Sequence, residues 1–181
     1  MRSWSKIARR IRVPLGFAFA LVYLWLARPT AASIVLGASV ATIGVAVRAL
    51  ASGHVTKNEQ LTMRGPYAYV RNPLYFGSIV IAAGFALAGR NWWIAILLLV
   101  IFTAIYLPVI RGEEAFLRTR FPEFEEYSQN VPRLIPRLSP FGSNRGVFSW
   151  DLYRKHREYN AVVGTVVMLV ALAAKLLWWT K

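Results

Sequence analysis

Five apolar runs dominate this chain of 181 residues and constrain its fold more than any other feature. A helix needs about 20 mostly apolar residues to cross the roughly 30 Å hydrocarbon core of a bilayer. The runs that approach this length cover residues 14–27, 31–51, 74–89, 92–110 and 161–179. Because backbone polar groups in a bilayer must be satisfied internally, each run is predicted to be helical. The sequence therefore predicts an all-α, polytopic membrane protein with one domain, residues 1–181.

The charges are unevenly distributed among the loops. The chain has 22 Lys and Arg against 8 Asp and Glu, but only 17% of its residues are charged, which argues against a soluble nucleic-acid-binding protein. If the N-terminus is cytoplasmic, 17 cations lie on that side and three on the other, as the positive-inside rule expects. The N-terminus and the loops 52–73 and 111–160 are therefore predicted to be cytoplasmic. Arg48 and Lys175 lie near the ends of apolar runs, so we expect both to snorkel.

The N-terminal segment has two possible interpretations. Its basic residues precede an apolar run, as in a signal peptide, but no small-residue cleavage site of the Ala-x-Ala kind follows. We therefore interpret the first run as a retained membrane anchor.

Several kinds of active site lack their residues. The chain has no Cys, and its two His, His54 and His156, have no Ser or Asp pattern nearby. Thiol chemistry, a hydrolase triad and a metal centre are therefore not predicted. The chain also lacks the glycine-rich nucleotide-binding motifs. Any nucleotide-like cofactor would therefore be held by helix ends and the two long loops.

The end of the first loop combines turn residues with aromatic and basic side chains. Gly65-Pro66 indicates a turn, Asn72 is a plausible N-cap, and Pro73 suits the first turn of the third span. Around the same helix start lie Tyr67, Tyr69, Arg71 and Tyr75. An Arg beside a helix N-terminus suits a carboxylate or phosphate.

The second loop carries most of the acidic residues. Five of the eight acids lie between Glu113 and Glu126. Glu114 and Arg118 are spaced to pair on a solvated helix face. Beyond Pro122, the stretch 131–136 is predicted to be extended, either as a strap over a cofactor or as a simple interfacial loop.

These two loops resemble the isoprenylcysteine carboxyl methyltransferase family. Residues 64–77, Arg-Gly-Pro-Tyr-Ala-Tyr-Val-Arg-Asn-Pro-Leu-Tyr-Phe-Gly, are similar to its Gly-Pro-Tyr-x-x-x-Arg-His-Pro-x-Tyr-x-Gly motif. The second motif, an acidic pair followed by Phe, Tyr and Val-Pro-Arg, is matched by Glu113, Glu114, Leu117, Phe121, Tyr127, Val131, Pro132 and Arg133. The resemblance covers roughly residues 48–136. It departs from the family at Asn72, where the family has His.

The resemblance implies a membrane enzyme that binds S-adenosylmethionine from the cytosol and takes a lipophilic substrate, a small molecule or a lipidated one, from the membrane lipids. It implies that Glu113 or Glu114 holds the cofactor's ammonium, and that Arg71 or Arg120 holds a carboxylate of cofactor or substrate. Adenosine or sulfonium contacts fall to Tyr67, Tyr69 and Tyr75. The implied pocket also includes Asn72, Pro73, Tyr127, Val131, Pro132 and Arg133. Because Asn cannot shuttle a proton, we expect carboxyl O-methylation.

Three alternatives remain at this stage. Related membrane enzymes methylate phospholipid amines, which gives an N-methyltransferase. Membrane sterol reductases share part of the motif, and a 2′-phosphate of NADPH could be bound by Arg118, Arg120, Arg133 and Arg137. A non-enzymatic scaffold or transporter is the third; it would be favoured if the segments 53–73 and 111–136 were far apart.

Overall fold

The computed structural model describes residues 2–56, 60–142 and 146–179, and the regular structure in these residues is helical. The helices are α1 (Arg2–Leu26), α2 (Ala31–Ser52), α3 (Pro73–Gly89), α4 (Trp92–Ile101), α5 (Leu107–Arg120), α6 (Phe124–Asn130), α7 (Trp150–Lys155) and α8 (Tyr159–Trp179). A 3₁₀ turn covers Gly65–Ala68 and a π-turn, Phe102–Tyr106, joins α4 to α5. Lys57, Arg145 and Lys181, which enter the charge count, lie outside the described residues, as do the side chains of the N-terminal cations.

Within the described residues, three helical segments are long and apolar enough to cross a membrane: Ala31–Ser52, Trp92–Arg120 and Tyr159–Trp178. Pro14–Leu26 and Pro73–Gly89 are shorter apolar helices. The prediction of an all-helical, polytopic membrane protein is thus confirmed. Helix α1 begins well before the predicted first span and continues through Pro14.

The fourth span is interrupted where the sequence predicted a plain helix. Pro108 has no N–H to donate, and its ring crowds the preceding helical turn. The π-turn Phe102–Tyr106 lies in that preceding turn, where its wider backbone accommodates the ring. The helix then continues into α5, which carries Glu113 and Glu114.

Helices α2 and α3 pack backbone to backbone. Gly37 and Gly44 of α2 face Gly84 and Gly77 of α3, and the spacing of seven residues keeps each pair on one face. A Cβ atom built on Gly37 would lie 2.4 Å from the carbonyl oxygen of Gly84, which no side chain tolerates. Small residues at such positions let membrane helices approach closely.

Helix α8 is attached to α1 through Lys175. Its ammonium donates hydrogen bonds to the carbonyl oxygens of Leu24 at 2.5 Å, Trp25 at 3.2 Å and Ala27 at 2.7 Å. The last carbonyls of a helix lack intrahelical partners and favour a cation. Lys175 therefore caps the end of α1, instead of only snorkelling as expected.

Candidate active site

The two long loops lie against each other at one end of the helices. The stretch 131–141, here called the strap, runs in the opposite direction to residues 68–71. Backbone hydrogen bonds of 2.9 Å join Arg71 N to Pro132 O, Arg137 N to Tyr69 O and Phe141 N to Ala68 O. The buried hydroxyl of Tyr127 adds a hydrogen bond of 2.7 Å to the carbonyl oxygen of Tyr67. The stretch 131–136, which was predicted to be extended, is the first part of this strap, and the strap packs against the loop that precedes α3.

Glu114 is the centre of the polar contacts between α5, the strap and the start of α3. Its side chain is buried, and Oε1 accepts a hydrogen bond of 3.0 Å from Asn72 Nδ2 and lies 3.4 Å from Arg71 Nε. Its Oε2 lies 2.9 Å from Nε and 2.7 Å from Nη2 of Arg133. The predicted pairing of Glu114 with Arg118 is therefore wrong: Arg118 pairs with Glu125 on the surface, at 2.8 Å.

Asn72 occupies the N-cap position of α3, but its side chain does not cap the helix. Its amide nitrogen instead donates to Glu114 and, at 3.2 Å, to the carbonyl oxygen of Arg133. Pro73 starts the helix as predicted. The first turn of α3 thus has backbone N–H groups that no side chain caps, at the positive end of a 17-residue helix.

Tyr75 and Glu113 form the part of the site nearest the helix bundle. The hydroxyl of Tyr75 donates to Glu113 Oε2 at 3.2 Å. The ring of Tyr75 meets that of Tyr106 edge to face, with the centroids 6.0 Å apart. Tyr106 in turn stacks on Phe102 within the π-turn.

The remaining predicted tyrosines differ in exposure. Tyr67 and Tyr127 are buried, whereas 38% of Tyr69 is exposed. Burial raises the pKa of the Tyr67 phenol well above its usual range. Tyr127 and the carboxylates of Glu113 and Glu158 raise this pKa further, and Arg48 opposes them. The Tyr67 hydroxyl therefore stays neutral and lies within electrostatic range of both carboxylates.

The structure shows a charged pair that sequence reasoning missed. Arg48 Nε lies 2.5 Å from Glu158 Oε1, and Arg48 Nη1 donates to Ser78 Oγ at 2.5 Å and to Leu74 O at 3.2 Å. The expectation that Arg48 snorkels did not include these partners. The position of Arg48 inside an apolar run was the sequence signal for this pair, because a charged residue in a membrane span usually has a polar partner and a functional role.

An apolar groove with a volume of about 930 Å³ opens between α1, α3 and the α4–α5 segment. Ser78 and Tyr106 line one end, next to Tyr75, and Arg90 and Trp92 line the other. The twelve-residue separation of Ser78 and Arg90 on α3 corresponds to about 18 Å of helical rise. That length is comparable to one leaflet of a roughly 30 Å hydrocarbon core.

The other predicted residues lie in different surroundings. Val131, the first residue of the strap, is buried against Phe124 and Tyr127, and Pro132 is exposed apart from its backbone contact with Arg71. Arg120 is exposed at the end of α5, and within the described ranges it forms no ion pair with Glu114. No group of three His, Asp or Glu side chains in the described part of the chain is arranged to hold a metal ion.

Comparison with known proteins gives three relatives. The chain is 37% identical over 126 residues to a cobalt-zinc-cadmium resistance protein of Cupriavidus metallidurans, covering 69% of this chain and 56% of that protein. It is 38% identical over 109 residues to a nickel-cobalt-cadmium resistance protein of Alcaligenes xylosoxydans, covering 60% and 50%. It is 28% identical over 145 residues to protein-S-isoprenylcysteine O-methyltransferase of Schizosaccharomyces pombe, covering 75% and 59%.

The chain thus spans only about half the length of the two resistance proteins. No solved structure matches the chain. The yeast methyltransferase bears out the resemblance seen in the two loop motifs. The family model described as phospholipid methyltransferase matches residues 31–123, just over half of the chain and including all of α3 and α5. The chain therefore belongs to the phospholipid methyltransferase family.

Proposed function

We propose that this protein is a membrane methyltransferase that uses S-adenosylmethionine and methylates a lipid-tailed substrate. One observation carries the proposal: a polar site, built from the start of α3, Glu113 and the strap, adjoins the end of an apolar groove at Tyr75 and Tyr106. Such an arrangement suits a polar cofactor and an apolar acceptor that meet at one point. Membership in the family supports it. We further propose that this end of the helices is cytoplasmic, as the distribution of cations indicates.

The residues of the site fit the cofactor's charged groups. A carboxylate suits the N–H groups in the first turn of α3, since the Asn72 side chain leaves them uncapped. An ammonium suits Glu113. Glu114 is a poorer candidate because Asn72, Arg71 and Arg133 already occupy both of its oxygens. We therefore assign Glu114 and Arg71 to positioning α3 and the strap.

Aromatic residues complete the proposed pocket. Tyr75 lies beside Glu113, and a sulfonium or adenine next to its face would gain cation–π or stacking interactions. Tyr69 is exposed enough to contact adenosine, whereas Tyr67 and Tyr127 are buried and support the loop from beneath. When bound, the cofactor supplies a methyl group on its sulfonium. A nucleophile attacks the methyl carbon in line, and the sulfur leaves as a neutral thioether. The chain's own contribution is to orient the two reactants and exclude water.

The acceptor proposed is a carboxylate. A carboxylate nucleophile has no proton to lose, so the site needs no general base. Asn72, in the place of the family's His, is engaged as a donor to Glu114 and Arg133 O and cannot accept a proton there. A phospholipid amine is the second candidate, favoured by the description of the matching family. Methylation of an amine requires a proton acceptor, and the candidate is the carboxylate of Glu113, which lies beside Tyr75.

The adjacent carboxylates provide the test, with S-adenosylhomocysteine as the titrant for detergent-purified protein. We expect Glu113→Gln to weaken its binding by about tenfold or more, because an ammonium loses its ionic partner, and to lower the thermal midpoint less than Glu114→Gln does. Glu114→Gln should destabilise the fold by about 3 kcal/mol, since two arginines lose their buried counterion. Exposed Glu123→Gln is the matched control and should change neither property.

Absence of binding by the wild-type protein would overturn the proposed function. Equal binding by Glu113→Gln and the control would remove Glu113 from the pocket while leaving the function intact. Methyl transfer from labelled cofactor into a lipid extract, followed by base treatment that cleaves esters but not N-methyl groups, separates the carboxyl acceptor from the amine.

A further inference from the structure

We propose that the guanidinium of Arg48 binds the oxyanion of the acceptor lipid's headgroup, and that it forms an ion pair with Glu158 when no such lipid is bound. This inference rests on the proposed function and deepens it, because it identifies the acceptor as an anionic amphiphile. The shared chemistry is that of a carboxylate or a phosphate attached to an apolar tail.

Arg48, on α2, contacts the polar end of the groove through Ser78. Its Nη1 contacts Ser78, which lines the polar end of the groove, and the carbonyl oxygen of Leu74, the residue before Tyr75. A tail seated along α3 would therefore bring its headgroup to the guanidinium. Arg48 and Glu158 also lie within electrostatic range of Tyr67, as Glu113 does. The acceptor's charged group would thus be held close to the proposed cofactor pocket.

The ion pair leaves part of the guanidinium unused. Guanidinium groups bind carboxylates and phosphates most strongly through two parallel N–H bonds on one edge. Glu158 uses Nε alone, and none of the described residues accepts a hydrogen bond from Nη2. An oxyanion that took both Nε and Nη2 would gain a hydrogen bond that Glu158 does not make.

The counterion is placed to be exchanged. The side chains of Arg48 and Glu158 are 23% and 9% exposed, so an uncompensated Arg48 would be costly in this apolar setting. Glu158 removes that cost in the empty protein. It lies in the turn between α7 and α8, outside both helices. A neutral lipid offers no replacement charge, which makes the pair a filter for anionic acceptors.

A purely structural ion pair is the competing explanation, and the sign of the mutational effects separates the two. If the pair only supports the fold, loss of either partner weakens ligand binding in the same direction. If Arg48 is the receptor and Glu158 its competitor, Arg48→Gln weakens anion binding while Glu158→Gln strengthens it.

The experiment compares three probes with the same tail: hexadecanoate, hexadecyl phosphate and hexadecanol. Each is titrated into the full chain in a non-ionic detergent at about pH 8, where a carboxyl group is ionised. We expect the wild-type protein to bind one or both anions at least about tenfold more tightly than the alcohol. Arg48→Gln should remove this preference and leave hexadecanol binding intact, while Glu158→Gln should increase it severalfold.

Equal affinity of the wild-type protein for the anions and the alcohol would overturn the proposal, as would weakening of anion binding by both variants. Hexadecanol reports whether the groove is intact in each variant. If Arg48→Gln fails to fold, Arg48→Lys is used in its place. A reduced preference for anions supports an oxyanion bound by two N–H groups of Arg48, and an unchanged preference overturns the proposal. The better bound anion identifies the headgroup. Parallel titration with S-adenosylhomocysteine tests the proposed function separately, because cofactor binding does not require Arg48.

Discussion

The two faces of α3 are both built from small residues, but one is closed and the other is open. Towards α2, Gly77 and Gly84 approach the facing backbone so closely that a Cβ atom on Gly84 would lie 2.6 Å from the carbonyl oxygen of Gly37. On the opposite face, Ala82 and Ala83 line the groove, and Ser78 lies at its edge, in contact with Arg48 of α2. The same helix thus provides a backbone-to-backbone interface on one side and one wall of the apolar groove on the other.

The difference lies in the facing helices. Helix α2 offers glycines opposite the glycines of α3, so the backbones meet. The groove is instead bordered by large side chains of α1 and the α4–α5 segment, such as Phe19, Leu98 and Phe102, which keep those helices apart from α3. A run of small residues therefore predicts that close approach is possible. Whether it happens depends on what the facing helix presents.

The largest effect is expected for a large side chain on the closed face. Gly84→Leu would drive its side chain into the backbone of α2 at Gly37 and Ala41, and neither backbone can move aside cheaply. We expect a loss of about 3 kcal/mol or more, or failure to fold. Thermal unfolding in detergent measures this loss of stability. A variant with the wild-type midpoint would show that α2 and α3 do not meet as described.

The same residue on the open face is the matched experiment. Ala83→Leu adds an equal side chain where the structure has empty space, so we expect a nearly unchanged unfolding midpoint. Because leucine fills part of the groove, affinity for hexadecanol or another single-tailed lipid should fall about tenfold. Unaltered lipid affinity in a stable variant would mean that tails bind elsewhere on the protein.

Local rules predicted the start of α3 but not the partners of polar side chains. The start of α3 at Pro73 follows from proline's own geometry and needs no other part of the chain. The side chain of Asn72, by contrast, is taken from the helix end by Glu114, 42 residues away. Glu114 likewise pairs with Arg133 instead of Arg118, its neighbour on the helix, because its carboxylate is buried against the strap and a buried charge needs a partner there.

Longer-range features were still less accessible from one sequence. Arg48 and Glu158 are 110 residues apart, and no local pattern connects them. The groove depends on the angles between α1, α3 and the α4–α5 segment, and the apolar composition of each span does not determine these angles. The π-turn is different: a plain helix was predicted there, although Pro108 inside the apolar run was a local signal for a distorted one.

The smallest effect, with the opposite sign, is expected for a glycine that faces no helix. Around Gly164 in α8, an added Cβ atom would meet nothing within 4 Å. Alanine is a better helix former than glycine by about 1 kcal/mol in water, and glycine is better tolerated in membrane helices. Gly164→Ala should therefore raise the unfolding midpoint slightly, where Gly84→Leu lowers it strongly. A lowered midpoint in detergent, and a change in the mass of the purified particle, would instead indicate that another protein surface packs against this face of α8.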